Sequence, residues 1–191
     1  MFAALLDTNV LWPSLCRDFL LSLAVEGLYR PLWSEAILDE LMYHEQKKLE
    51  GRGTAPAVAQ AKAEKLDWAM RDAFPDAIVI GWEPLEGSYK LPDPDDEHVV
   101  AAAVVGGAGA IVTENAKDFP IDRIPNSVQV LSAAEFALNT VDLDPAAVLR
   151  ALGKMSARFV APPSSQADIV NQLEQRYGMS EAADIIRGYL R

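Results

Sequence analysis

The sequence predicts an α/β fold: a central parallel sheet of about four strands flanked by helices, followed by a helical extension. Three observations carry this expectation. Short apolar runs at 3–6, 77–81, 110–113 and 128–131 alternate with stretches whose apolar residues recur at helical spacing. The runs are nearly continuous in apolar character, as strands covered on both faces are. After residue 141 the alternation stops and only helical patterning remains.

The first run, AALL at 3–6, reads as a buried strand ending at Asp7. Pro13 suits the first turn of a helix over about 14–26, and Gly27 ends it. Ser34 is a good N-cap, and Ile37, Leu38, Leu41 and Met42 then repeat at helical spacing as far as Gly51-Arg52-Gly53. A third helix spans about 55–73 and is closed by Pro75. AIVIG at 77–81 is the second strand, followed by a loop that runs to Asp96. A helix then extends through HVVAAAVV to Gly106-Gly107, and AIVT at 110–113 is the third strand. ENAKDFP is a turn and VQVL at 128–131 the fourth strand. Ser132 and Glu135 form a capping box for the next helix. Asp144-Pro145 opens a helix over 145–155, APPSS at 161–165 is a linker, and helices at about 166–177 and 181–190 complete the chain. The expected division is a main domain over 1–140 and a helical extension over 141–191.

The 191 residues are half hydrophobic by composition, enough for one sizeable core. Cys16 is the only cysteine and falls in an apolar stretch, so it reads as a buried small hydrophobe in a reducing compartment. No apolar run approaches the ~18–20 residues that cross a membrane. The opening MFAALLD lacks the basic start of a signal peptide. A cytoplasmic location is the expectation. The net charge of −11 argues against a broad basic nucleic-acid surface. The charge is uneven, however. Residues 44–65 carry five bases and three acids, and Lys47, Lys48 and Arg52 make a local basic strip compatible with one RNA strand or with an ordinary solvated helix face.

Four acidic segments stand out: LLDTN, SEAILDEL, LPDPDDEHVV and IVTENAKDF. In a parallel α/β sheet ligands bind at the carboxyl ends of the strands, where Asp7 and the 113–118 turn both fall. Glu40 lies at the edge of an apolar helical stripe, so it needs a metal, a base or solvent. His44, four residues on, reads as a neighbour of the site or a surface residue. Asp93, Asp95 and Asp96 exceed what capping the following helix requires. Asp96 is the better ligand candidate of these and Asp93 the second, while His98 packs or faces solvent. Thr113, Asn115 and Asp118, with Asn9 after Asp7, supply a hydroxyl, amides and a carboxylate that orient a water or a second cation. Carboxylates gathered in this way repel one another unless a hard divalent cation sits among them, and such an ion activates water for phosphodiester cleavage.

These residues carry a family resemblance. LLDTNV, the glutamate of SEAILDEL, DPDDEHVVAAAVVGGAGAIVT and TENAKDF resemble, in order and spacing, the four motif regions of PIN-domain ribonucleases, and most closely the VapC-type toxins of bacterial toxin–antitoxin pairs. The likeness covers about residues 2–137, and the tail resembles the extension of a longer VapC subgroup. It implies a PIN-like three-layer α/β/α fold. It implies a type II toxin, a metal-dependent endoribonuclease with Asp7, Glu40, Asp96 and Asp118 as its acidic quartet, Mg²⁺ or Mn²⁺ on Asp7, Asp96 and Asp118, and an RNA substrate. It also implies a cognate antitoxin and a homodimer. Many relatives carry an aspartate where Asn115 stands, so the fourth acid is either Asp118 or absent in favour of Asn115. Two alternatives are a PIN nuclease of RNA maturation and a non-catalytic metal- or protein-binding PIN module. A receiver-like aspartyl domain is disfavoured, because it gives Glu40 no role.

Overall fold

The computed structural model describes residues 1–160 and 162–190. Five strands, β1 (Ala3–Leu6), β2 (Arg30–Ser34), β3 (Ile78–Val79), β4 (Ala110–Val112) and β5 (Gln129–Leu131), form one parallel sheet in the order β3-β2-β1-β4-β5. Leu5 and Leu6 point to opposite faces of β1 and both are fully buried. The sheet is therefore covered on both sides, which gives the three-layer arrangement.

The nine helices named here are α1 (Thr8–Leu11), α2 (Ser14–Val25), α3 (Glu35–Gly51), α4 (Pro56–Ala73), α5 (Glu97–Val105), α6 (Ala133–Val141), α7 (Pro145–Arg158), α8 (Gln166–Tyr177) and α9 (Ser180–Tyr189). Most begin as the sequence dictates. Ser34 caps α3 through Ile37 N, Asp144 caps α7 through Ala147 N, and Ser132 with Glu135 closes the expected box on α6. α3 and α4 pack side by side as a hairpin, and α5 lies across β1, β2 and β4. α5 ends at Gly106-Gly107: Gly107 takes φ +66°, and at Gly106 an added Cβ would fall 2.8 Å from Val79 Cγ2 and 2.9 Å from Leu32 Cδ1.

Two expectations change. The sheet has five strands rather than about four, because RPLWS at 30–34 is a strand. Pro31 hides it, since proline argues against an interior strand. Arg30 N donates to Phe2 O of the β1 side and Trp33 N to Ala77 O of the β3 side. Alternation therefore aims Pro31 toward β3, which pairs only from Trp33 onward, so no ladder bond is forfeited. The strand expected over 77–81 is a two-residue β3, Ile78–Val79. Of the linker expected at 161–165, Ala161 lies outside the described residues. The remainder carries an isolated bridge, Val160 to Pro163, and the Ser165 cap of α8.

The hydrophobic core is continuous from the sheet into the C-terminal helices. Phe19 and Leu20 of α2 belong to the same buried cluster as Leu152, Met155, Leu173 and Ile186. Charges hold the same seam: Glu26 pairs with Arg150 and Lys154, each at 2.7 Å, and Arg158 reaches Asp18 at 2.5 Å. Cys16 is buried within the cluster, and burial pushes its thiol up to about 12, so it is an inert packing residue.

Candidate active site

The register Leu6↔Val112 brings the carboxyl ends of β1 and β4 together, so Asp7 and Thr113 emerge side by side. Asp7 N donates to Val112 O at 3.1 Å, which extends the ladder by one residue and fixes the aspartate. Its side chain is 5 % exposed, and both oxygens are hydrogen-bonded. Oδ1 accepts from Thr8 N at 2.6 Å, and Oδ2 accepts from Asn9 Nδ2 and Thr113 Oγ1, each at 2.7 Å. Burial raises the Asp7 pKa, partly offset by the bonds from Thr113 and Thr8 and reinforced by nearby Glu40. Asn9 also donates to Thr113 Oγ1 at 2.8 Å and accepts from Glu114 N at 2.9 Å, tying α1 to the turn after β4.

That turn places the next group. Asn115 N donates to Thr113 Oγ1 at 3.0 Å, and the Asn115 side-chain amide bonds the Asp118 carboxylate. Asn115 thus holds the Asp118 side chain in place. On the other side of Asp7, Thr8 Oγ1 donates to Glu40 Oε2 at 2.6 Å, which brings α3 to the site.

The Asp93–Asp96 segment separates its acids. Asp93 is exposed and spends Oδ1 on Asp95 N at 3.0 Å, forming the turn that leads into α5. Asp96 is partly buried, and among the described residues its Oδ2 has no hydrogen-bond partner. Its pKa is pushed up to about 6, by burial first and then by the neighbouring charges of Asp7, Asp93 and Asp118. Asp96 therefore lies within electrostatic reach of Asp7, Asp93 and Asp118. They do not form a closed cage: among the described residues no three His, Cys, Asp or Glu groups stand as a ready coordination set. Water-rich binding needs no such cage, since Mg²⁺ keeps several waters and takes one or two carboxylates. A partly buried carboxylate oxygen with no hydrogen-bond partner, in the field of two further carboxylates, is the donor chemistry that a hard divalent ion takes.

His98 is the site residue that the sequence does not reveal. It is 6 % exposed, and its Nε2 lies 3.1 Å from Glu40 Oε1. Trp82 packs against its ring at 5.9 Å. Burial is the largest single influence and opposes charge on both partners, but it is outweighed by the sum of their mutual bond, the Thr8 bond to Glu40 and the surrounding charges, so His98 is raised and Glu40 lowered. Glu40 holds its stabilising charge above its unfolded value of 4.5 and loses it as pH falls through a still lower point. His98 is stabilising below 6.5 and loses that contribution as pH rises through its raised value. Replacing His98 with glutamine should therefore lower thermal stability mainly inside that window and leave it little changed at alkaline pH. Melting curves across pH in EDTA check this, and a uniform loss at every pH would refute the pairing.

The remaining candidates sit farther along α3. His44 is exposed, and its carbonyl accepts from Trp12 Nε1 at 3.3 Å. Lys47 pairs with Glu50 at 3.1 Å. Lys48 is largely buried and is held by Glu45 and Ser14, so it is a structural cation more than a free one. Arg52 is exposed and caps α3. Glu97, beside the acidic cluster in sequence, is buried and clasps the preceding loop by accepting from Tyr89 N and Leu91 N.

A parallel α/β/α sheet with a carboxylate at the end of its central strand, joined by acids from a helix and two loops, defines a class. Residues 3–117 match the PIN domain, and the chain belongs to that family. Residues 133–188 match the VapC50 C-terminal domain, so the appended helices are a recognised unit of longer VapC-type proteins. Over 82 residues the chain is 33 % identical to a protein of Mycobacterium tuberculosis (strain ATCC 25618 / H37Rv) named "Putative ribonuclease VapC50". That stretch covers 42 % of this chain and 48 % of the relative, about half the relative's length. Among the described residues no helix is long and apolar enough to cross a membrane.

Proposed function

We propose that this chain is a metal-dependent endoribonuclease acting as the toxin of a type II toxin–antitoxin pair in the cytoplasm, restrained by a cognate antitoxin and able to form a homodimer. One observation supports the catalytic part: the partly buried Asp96 carboxylate has an oxygen without a hydrogen-bond partner and lies within the field of Asp7 and Asp118, a surplus of negative charge that a divalent cation would relieve. Asp7, Asp96 and Asp118 are the residues that would hold Mg²⁺ or Mn²⁺. When bound, such an ion lowers the pKa of water and neutralises charge developing on phosphoryl oxygens. The chain's own residues supply orientation. Thr8, Asn9 and Thr113 fix both oxygens of Asp7, and the Asn115 amide fixes Asp118. Glu40, aimed by Thr8 and His98, is the fourth acid and accepts a proton from water at its carboxylate.

The substrate of this reading is single-stranded or looped RNA, whose phosphate can reach a recessed acidic floor. The test is cleavage of RNA by the full chain in Mg²⁺, in Mn²⁺ and in EDTA, alongside Asp7→Asn. Cleavage in either metal, loss in EDTA and loss in the variant are expected. Cleavage that is equal in EDTA, or equal in the variant, rejects the assignment. RNA binding with no cleavage in any metal would point instead to a non-catalytic PIN module.

A further inference from the structure

The C-terminal helices close one wall of a cleft of about 980 Å³ whose other walls are α2, the end of α3 and α4. Its cationic lining residues are Arg17, Lys48, Arg52, Arg158 and Arg176, and its single acid is Asp18. That is a strong local excess in a chain whose net charge is −11. Three of the cations are committed: Arg17 to Leu11 O at 2.7 Å, Lys48 to Glu45 and Ser14, and Arg158 to Asp18. Among the described residues Arg52 and Arg176 are exposed and make no ion pair.

The cleft continues into an exposed aromatic strip. Trp12, which lines the cleft, is 42 % exposed, and Tyr43 is 59 % exposed. The His44 ring is near both, with its centroid 6.2 Å from that of Trp12 and 5.4 Å from that of Tyr43. Lys48 Nζ stands 5.9 Å from the Trp12 ring centroid and Lys47 Nζ 5.8 Å from that of Tyr43. The Trp12 indole is held in place by its bond to His44 O. Tyr43 and His44 follow Glu40 by one turn of α3, and from Glu40 to Arg52 the helix runs ~18 Å.

We propose that this strip and cleft form the track of a single RNA strand, with bases against Tyr43 and Trp12 and phosphates at Arg52 and Arg176. The assignment rests on the nuclease reading for the identity of the strand. Interleaved rings and cations favour nucleic acid over an acidic peptide, because stacking rings match bases while carboxylates require cations alone. It also gives the appended helices a function: they contribute Arg158, Phe159, Arg176 and Tyr177 to the wall and lengthen the binding surface beyond the PIN domain.

The experiment measures binding of fluorescently labelled short single-stranded RNA to the full chain in EDTA, with salt varied. Trp12→Leu and Tyr43→Ala should each weaken binding about 5- to 100-fold, and Trp12→Phe should retain it. Arg176→Ala should flatten the slope of log affinity against log salt by about 0.7. Melting curves show that each variant is folded, and the exposure of Tyr43 makes its variant the safest. Unchanged affinity and slope in these variants overturns the track. So does a polyglutamate peptide that binds as tightly as RNA and is insensitive to Trp12→Leu, an outcome that marks the cleft as a protein-docking site. Because binding is read without metal, lost cleavage with intact RNA binding removes only the nuclease reading. Intact cleavage with indifferent variants removes only the track.

Discussion

Asp96→Asn should reduce RNA cleavage on the order of 10³-fold, the several kcal/mol that a divalent ion contributes to a phosphoryl transition state. The same change should make the metal-free protein more stable at neutral pH. The folded carboxyl titrates at about 6, against 3.8 for the ordinary group. Between those values the unfolded chain has released a proton that the folded chain still holds, so stability falls as pH rises and stays low above the folded value. Asparagine keeps the shape and removes the charge. After allowance for solvent screening of a partly exposed group, the gain is about 1–2 kcal/mol. Wild-type protein should gain melting temperature from Mg²⁺ or Mn²⁺ at about pH 7.5 and little at about pH 5, where protonation competes with the ion. The variant should gain little at either. Asp93→Asn is the control, since Asp93 is exposed and caps a turn; it should lose far less activity. Equal metal stabilisation of Asp96→Asn and wild type would defeat the ligand assignment.

The acidic site was legible wherever local chemistry and fold class converge on one place. Asp7 and Thr113 could be located because a parallel sheet gathers its functional groups at the carboxyl ends of the strands, and two apolar runs end at those residues. Glu40 was legible as an acid too close to an apolar stripe to stand alone. Its partner was not. His98 lies 58 residues away in sequence. α5 is apolar on nearly every side, so periodicity gives a histidine there no direction. Asp93 and Asp96 could not be separated by spacing. The difference is one of burial and of which oxygen a turn consumes. β2 was missed because a proline penalises a strand only where its missing donor faces a partner, and that depends on how far β3 extends. The cleft was illegible for a further reason. Its cations come from α2, α3, α7 and α8 and meet only once the C-terminal helices dock.

That docking leads to the second large effect: a chain ending at residue 141 should fail to fold cooperatively. The proposed division at 140/141 suggests that the PIN portion could stand without its extension, but the packing argues otherwise. Phe19 of α2 is fully buried beside Val170, Leu173, Met179, Ala182, Ala183 and Ile186, all C-terminal. α2 packs on α7 and α8, and α6 packs on α9, so truncation bares two faces at once. It also removes the partners of Glu26, whose carboxylate is held below its ordinary pKa by Lys154 and Arg150. Each large apolar side chain returned to water costs about 1.5–3 kcal/mol. Only a handful of such losses exhausts a total stability of roughly 5–15 kcal/mol. The truncated chain should accumulate as aggregate or lack a sigmoidal melt, while the full chain melts in one transition. A soluble truncated protein with a sharp transition near that of the full chain would show that the helices form an independent unit. The RNA track would then gain its second wall from a separately folded domain rather than from a shared core.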